Sequence, residues 1–294
     1  MSVTTSIRED APLEGHSHVI ARADTLAPAA KRRATHRRSP MLNVMGWVLT
    51  VIPPLVLALV LFMSWYITTA TGSISSLFLP KPADVFASLS DGIASGMYLS
   101  NTLVTIQEST LGFLIALAIA LPLGYGIAKS RLLAATIQPY LSAGQAIPAI
   151  VIAPLLILWL GYGILPNIVI CTLVVLFPMV INTILGVQTI DQALLDAAHV
   201  EGASGWSLLA HVEFPLALPA LLAAVRSGFT LSIVGALVGE VISGGDSGLG
   251  SLVVLAKNQY NTPFMFATLL VLAGLAALYY SATWLLVKVA EVIY

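Results

Sequence analysis

About six stretches of 20 or more mostly apolar residues recur along this chain, each long enough to cross a bilayer as a helix. They lie near residues 44–68, 102–128, 137–160, 164–185, 216–242 and 264–289. The runs are continuous rather than alternating over about ten residues, which favours helices over a membrane barrel. Charged residues make up only 9% of the chain against 58% apolar, and the mean hydropathy is +0.93. Soluble domains carry roughly 25% charged residues, so the bilayer has to serve as the solvent. The expected fold class is all-α, a polytopic membrane helix bundle of about six spans.

Residues 1–40 differ in kind, being polar and ending in the cations Lys31, Arg32, Arg33, Arg37 and Arg38. This composition predicts a disordered basic tail, and the apolar run after it is too long for a signal-peptide core, so the tail is read as uncleaved. Basic residues mark cytosolic loops. The tail therefore places the N-terminus inside, Lys129 and Arg131 return the chain to the cytosol, the loops around Asp84 and Gly161 lie outside, and Lys288 falls inside again. Residues 41–294 form the membrane domain. The single cysteine, Cys171, sits in an apolar run and is read as packing; no disulfide framework or metal-binding cysteine set exists.

One long polar segment separates two spans. Residues 188–215 carry Asp191, Asp196, His199, Glu201, His211 and Glu213, and the topology puts them in the cytosol. Ile190, Leu194, Leu195 and Ala198 recur at helical spacing, Gly202 can stop the helix, and Ser204 can cap another. Such a helix could rest on the membrane surface or insert into a groove on a partner protein. The lysines and arginines that favour lipid headgroups are absent from it, which supports the groove.

At these residues the chain resembles a known family. Asp196-Ala197-Ala198-His199-Val200-Glu201-Gly202-Ala203-Ser204, continuing through Val212-Glu213-Phe214-Pro215 to Pro219, is similar to the Glu-Ala-Ala loop of bacterial ATP-binding-cassette importer permeases. Leu79-Pro80-Lys81-Pro82, Gly112-Phe113, Pro122-Leu123-Gly124, Ile147-Pro148, Pro154 to Gly161, Phe177-Pro178, Asn182-Thr183, Gly186-Val187, Glu240 and Gly248-Leu249-Gly250 resemble the nitrate, sulfonate and taurine branch. Departures from the pattern are Asp196 where glutamate is usual, His199 where arginine is common, and Glu201 where an apolar residue stands.

The resemblance implies a type I importer permease (MetI-like) fold. It assigns Asp196, Ala197, Ala198, Gly202, Ala203, Ser204 and Pro215 to coupling with a separate ATPase. It further implies two copies of that ATP-binding subunit holding ATP and Mg, an extracytoplasmic solute-binding protein, a homodimer of the permease, and residence in the bacterial inner membrane with both termini cytosolic. The solutes it suggests are sulfonate-, taurine- or nitrate-like anions, or a pyrimidine precursor of thiamine.

The chain itself has no Gly-x-x-x-x-Gly-Lys-Ser/Thr phosphate loop, so ATP hydrolysis has to come from a partner. Gly245-Asp246-Ser247-Gly248 resembles a serine-nucleophile turn, but His16, His18, His36, His199 and His211 are all expected on the other side of the membrane, which leaves no triad. The chain is read as a transport subunit rather than an enzyme, without a cofactor, metal or nucleic-acid partner of its own. Glu108, Arg226 and Glu240 are the ionisable residues within or at the ends of spans, and such residues mark pathways or partner contacts, or stabilise packing. Gln145, Arg226, Thr230 and Ser232 are candidates for the solute pathway, with Glu240 in either role. The rival reading is an ion-gradient-driven secondary transporter; broken helices suit both, and the cytosolic polar helix favours the ATP-driven one.

Overall fold

A computed structural model describes residues 40–244 and 247–293; the expected basic tail falls outside them apart from Pro40, as do Gly245 and Asp246. The described residues fall into two units, one ending at Leu59 and the other starting at Val60. Helix α1 (Pro40–Ala70) begins in the first and ends in the second, and its portion from Ile52 on exposes nearly all of its apolar side chains, as a lipid-facing helix does.

Within the second unit the described elements are all helical: α2 (Pro82–Ala94), α3 (Met97–Lys129), α4 (Arg131–Ala146), α5 (Ala149–Leu160), α6 (Ile164–Gln188), α7 (Gln192–Val200), α8 (Gly205–Leu208), a π turn (Leu209–Glu213), α9 (Phe214–Ser243), α10 (Leu249–Asn258) and α11 (Thr262–Ile293). Among the described residues, five helices are long and apolar enough to cross a membrane, and α4 with α5 makes a sixth if the pair counts as one span. The expected third span is therefore not a rod: α4 and α5 meet at 92°. Pro148 explains the break, because proline pushes the preceding residue out of helical geometry, and Ile147 is extended at φ −80°, ψ 117°. Pro154, the other proline expected to interrupt this span, lies inside α5 without ending it.

The bundle is organised around α6, which packs along α3 and α9. Close approach comes from glycine. A Cβ on Gly112 of α3 would sit 2.5 Å from Cys171 Sγ, one on Gly124 would sit 2.6 Å from Thr183, and one on Gly235 of α9 would sit 2.7 Å from the Cys171 Cα. Lipid provides no hydrophobic drive between helices, so van der Waals contact between small-residue faces holds them together. Cys171 itself is fully buried between both neighbours, its thiol directed at the Ser232 carbonyl 3.2 Å away.

Candidate functional site

The polar segment between α6 and α9 folds as helix, turn, helix. Asp191 caps α7, its carboxylate accepting the Ala193 amide at 3.0 Å. At the other end the Gly202 amide donates to the His199 carbonyl (3.0 Å) and the Ala203 amide to the Ala198 carbonyl (2.9 Å), the paired bonds of a Schellman ending. Gly202 holds the left-handed position this ending requires, at φ +91°. Ser204 precedes α8 in extended geometry without a side-chain cap bond, and the chain continues through the π turn into α9.

Only Leu195 of α7 is buried. The rest of the helix projects, with Asp196, Ala197 and His199 exposed, Ala198 half-buried, Val200 90% exposed and Trp206 beyond it 78% exposed. Apolar side chains this exposed on a short polar helix are available to a partner. The Asp196 carboxylate is met by Gln192 at 3.3 Å. Ala203 is half-buried, and Pro215 is the second residue of α9, directly after the π turn.

Just behind this segment, Glu213 is buried and receives both the Tyr125 hydroxyl (2.6 Å) and the Lys129 ammonium. The pair ties the π turn to the end of α3. Lys129→Met leaves the Glu213 carboxylate buried with one hydroxyl donor. Removing one partner of a buried pair is costly, and because Lys129 is partly exposed the expected loss is about 1–2 kcal/mol, read as a lower melting temperature in detergent. Lys129→Arg should restore most of it. An unchanged melt for Lys129→Met would show that the contact carries no stability.

A second polar cluster lies toward the opposite end of the bundle. Glu240 is fully buried and accepts the Thr105 hydroxyl (2.6 Å) and the Gly250 amide (2.6 Å). Thr105 in turn accepts the Leu249 amide at 3.0 Å, and Asn101 accepts the Gly248 amide at 2.8 Å. The first amides of α10, which its own helix cannot satisfy, are thus capped by α3 and α9. Gly248 and Gly250 are glycines because a Cβ on either would run into the Glu240 carboxyl. One turn along α3 from Thr105, Glu108 accepts the Asn167 side-chain amide at 2.9 Å.

Of the pathway candidates, Gln145 lines a cleft of ≈390 Å3 beneath the α4–α5 elbow, with Pro148 and Phe177. Arg226 and Thr230 line another of ≈530 Å3, with Ser227 and Tyr280. Leu231 borders both. Ser232 faces neither; it is fully buried and donates to the Phe229 carbonyl at 2.7 Å, and so belongs to the packing against α6. Sequence reasoning missed Asn101 and Thr105, although their spacing with Glu108 (i, i+4, i+7) marks one polar stripe on an apolar helix. It also missed the pairing of Lys129 with Glu213.

Comparison with known proteins agrees with this architecture. Residues 110–294 match the model of the binding-protein-dependent transport system inner membrane component family. The chain is 36% identical over 227 residues to the riboflavin transport system permease protein of Chloroflexus aurantiacus, covering 77% of this chain and 84% of that one. It is 27% identical over 237 residues to a Bacillus subtilis protein named for aliphatic sulfonates transport, covering 81% and 84%. Among solved structures, an inward-facing form of the MetNI methionine ABC transporter superposes with a TM-score of 0.59 at 21% identity, over 64% of this chain and 94% of that one. That likeness concerns the fold, and with the sequence match it settles the class: this multi-pass membrane protein belongs to the inner-membrane permease family of binding-protein-dependent transport systems.

Proposed function

We propose that this chain is the membrane-spanning subunit of an importer whose energy comes from a separate ATP-binding subunit. Two copies of the chain flank the solute pathway, and two ATPase subunits, holding ATP and Mg, each receive one α7 helix in a surface groove. A solute-binding protein delivers cargo from outside, and both termini lie in the cytosol. The observation that carries this reading is the projecting α7, with Asp196, Ala197 and Val200 turned to solvent and a glycine-terminated end. Two adjacent alanines let such a helix approach a partner closely.

Closure of the ATPase pair on ATP would move the two α7 helices as rigid bodies, and the link from Glu213 to Lys129 and Tyr125 would pass that motion to α3. The pathway then alternates between inward- and outward-facing states, its populations set by ATP. The relatives' names point to different solutes, sulfonate-like anions and riboflavin, and a thiamine-precursor pyrimidine belongs to the same set of suggestions.

The test is purification of the tagged full chain from its native cell in mild detergent. An ATP-binding subunit in equal amount, with ATPase activity, is the expected result. A stable preparation lacking one, in which the chain alone moves solute down an ion gradient, would replace this reading with a secondary carrier.

A further inference from the structure

Two carboxyl groups face each other in the closed interior of the bundle. Glu108 of α3 is 1% exposed and Glu240 of α9 is 0% exposed. Glu240 binds Thr105, which stands one turn from Glu108 on the same face of α3. Asn167 of α6 donates to Glu108 Oε1 at 2.9 Å and packs against Gly239, the residue beside Glu240, where a Cβ would stand 2.8 Å from the Asn167 Oδ1. Glu108 and Glu240 are thereby held within hydrogen-bonding reach of each other. Two carboxylates out of water at that separation do not both ionise, because their repulsion is unscreened.

The donors around them say which member keeps a proton. Both oxygens of Glu240 already accept, Oε1 from the Thr105 hydroxyl and Oε2 from the Gly250 amide, each at 2.6 Å. Gly250 is the second residue of α10, so this carboxylate also lies at the positive end of a helix, where negative charge is favoured. Glu108 has the opposite surroundings. Its Oε1 accepts the Asn167 amide, and its Oε2 has no hydrogen-bond partner among the described residues. The same holds for Asn167 Oδ1, on a side chain 4% exposed. Both orphaned atoms are acceptors, so the cluster is short of hydrogen rather than of oxygen. A bare carboxylate oxygen enclosed in this way is costly, whereas a hydroxyl in its place has Glu240 to donate to.

We infer that Glu108 is a proton-binding site: it holds one proton on Oε2 and donates it to an ionised Glu240. The pair then carries a single negative charge, and the carboxylate that caps the start of α10 gains a third donor. The ligand of this site is a proton rather than a metal ion or a solute, and the inference does not depend on the importer reading.

The experiment is infrared spectroscopy at neutral pH on the full chain purified in an ester-free detergent, with glutamate carrying carbon-13 at its side-chain carboxyl so that lipid esters do not overlap. The wild type is compared with E108Q, E240Q and Asn167→Val. A labelled carboxylic-acid carbonyl band is expected in the wild type, absent from E108Q and retained in E240Q. In Asn167→Val it should move to higher wavenumber, because the acid carbonyl, Oε1, loses its donor. A wild type without a labelled acid band would overturn the inference whether or not the variants fold. So would a band lost in E240Q and kept in E108Q, which would put the proton on Glu240. Thermal unfolding gives a second readout: E108Q, whose side-chain amide still donates, should melt at or above the wild-type temperature, and E108L, of similar size without a donor, several degrees lower. Equal melting of E108L and E108Q would remove the donated bond and overturn the inference.

Discussion

Gly202→Val is expected to cut solute uptake at least tenfold while the protein still inserts and melts as the wild type does. The reason lies in the backbone rather than in space, since a Cβ at Gly202 would meet nothing within 4 Å. At φ +91° a β-branched residue is strongly disfavoured, with a cost of about 1–3 kcal/mol for a side chain held in such a region. The turn is exposed and can relax, so the strain is relieved locally: the bonds from Gly202 to His199 and from Ala203 to Ala198 open, and the end of α7 changes direction. The bundle, which owes its stability to α3, α6 and α9, is untouched. Co-purification of the ATPase and uptake should fall together. Gly202→Asn is the informative control, because asparagine tolerates the left-handed region and should restore most of the activity although it is as large as many disruptive residues. Equal loss in both variants would mean that surface shape matters there, and normal uptake in the valine variant would remove α7 from the coupling pathway.

The parts of this molecule that were legible in the sequence are those set by composition and local pattern. Spans are read from apolar length because an apolar run of that size has few other places to go. The ending of α7 was legible because glycine has a distinct backbone preference; the capping role of Asp191, one residue before the helix, was not read. Pairings across the bundle were not legible. Lys129 and Glu213 are far apart in the chain, and nothing local to either announces the other. Thr230 and Ser232 show the same limit on a smaller scale. Two residues apart on one helix, they point about 200° away from each other, so one lines the Arg226 cleft and the other is buried against α6. In a helix apolar nearly all round, periodicity does not say which face is which.

The elbow at Ile147 and Pro148 shows how a correct local signal can still mislead about shape. Apolar length from 137 to 160 pointed to one crossing, and proline to a disturbance within it. The disturbance proved large enough to turn the chain through 92°. Pro154, with the same chemistry, lies six residues into α5 without ending it. A proline in the sequence does not say which case applies, since Pro122 and Pro178 also lie inside α3 and α6 without ending them. The bend shapes the cleft that Gln145 and Leu231 border.

Gly235→Ala and Gly126→Ala should move stability in opposite directions although both place the same methyl group in a membrane helix. On intrinsic propensity alone, alanine for glycine favours a helix by about 1 kcal/mol. Gly126 is free to show that gain, because its Cβ would have nothing within 4 Å. At Gly235 the methyl would stand 2.7 Å from the Cys171 Cα and 3.4 Å from its carbonyl oxygen. The Cα belongs to the main chain of α6, so no side-chain rotation relieves the contact. Helices α6 and α9 have to separate, and the separation also loosens the nearby contact of Gly239 with Asn167. The expected result is a loss of about 3 kcal/mol at Gly235, at the upper end of overpacking costs, against a slight gain at Gly126, compared by thermal unfolding in one detergent. Cys171→Gly does not repair the defect, because the main chain remains in place, whereas a clash confined to a side chain would be relieved. A Gly235→Ala protein as stable as wild type would mean that α6 and α9 are not held at this distance, and the account of the bundle as glycine-mediated close packing would fail with it.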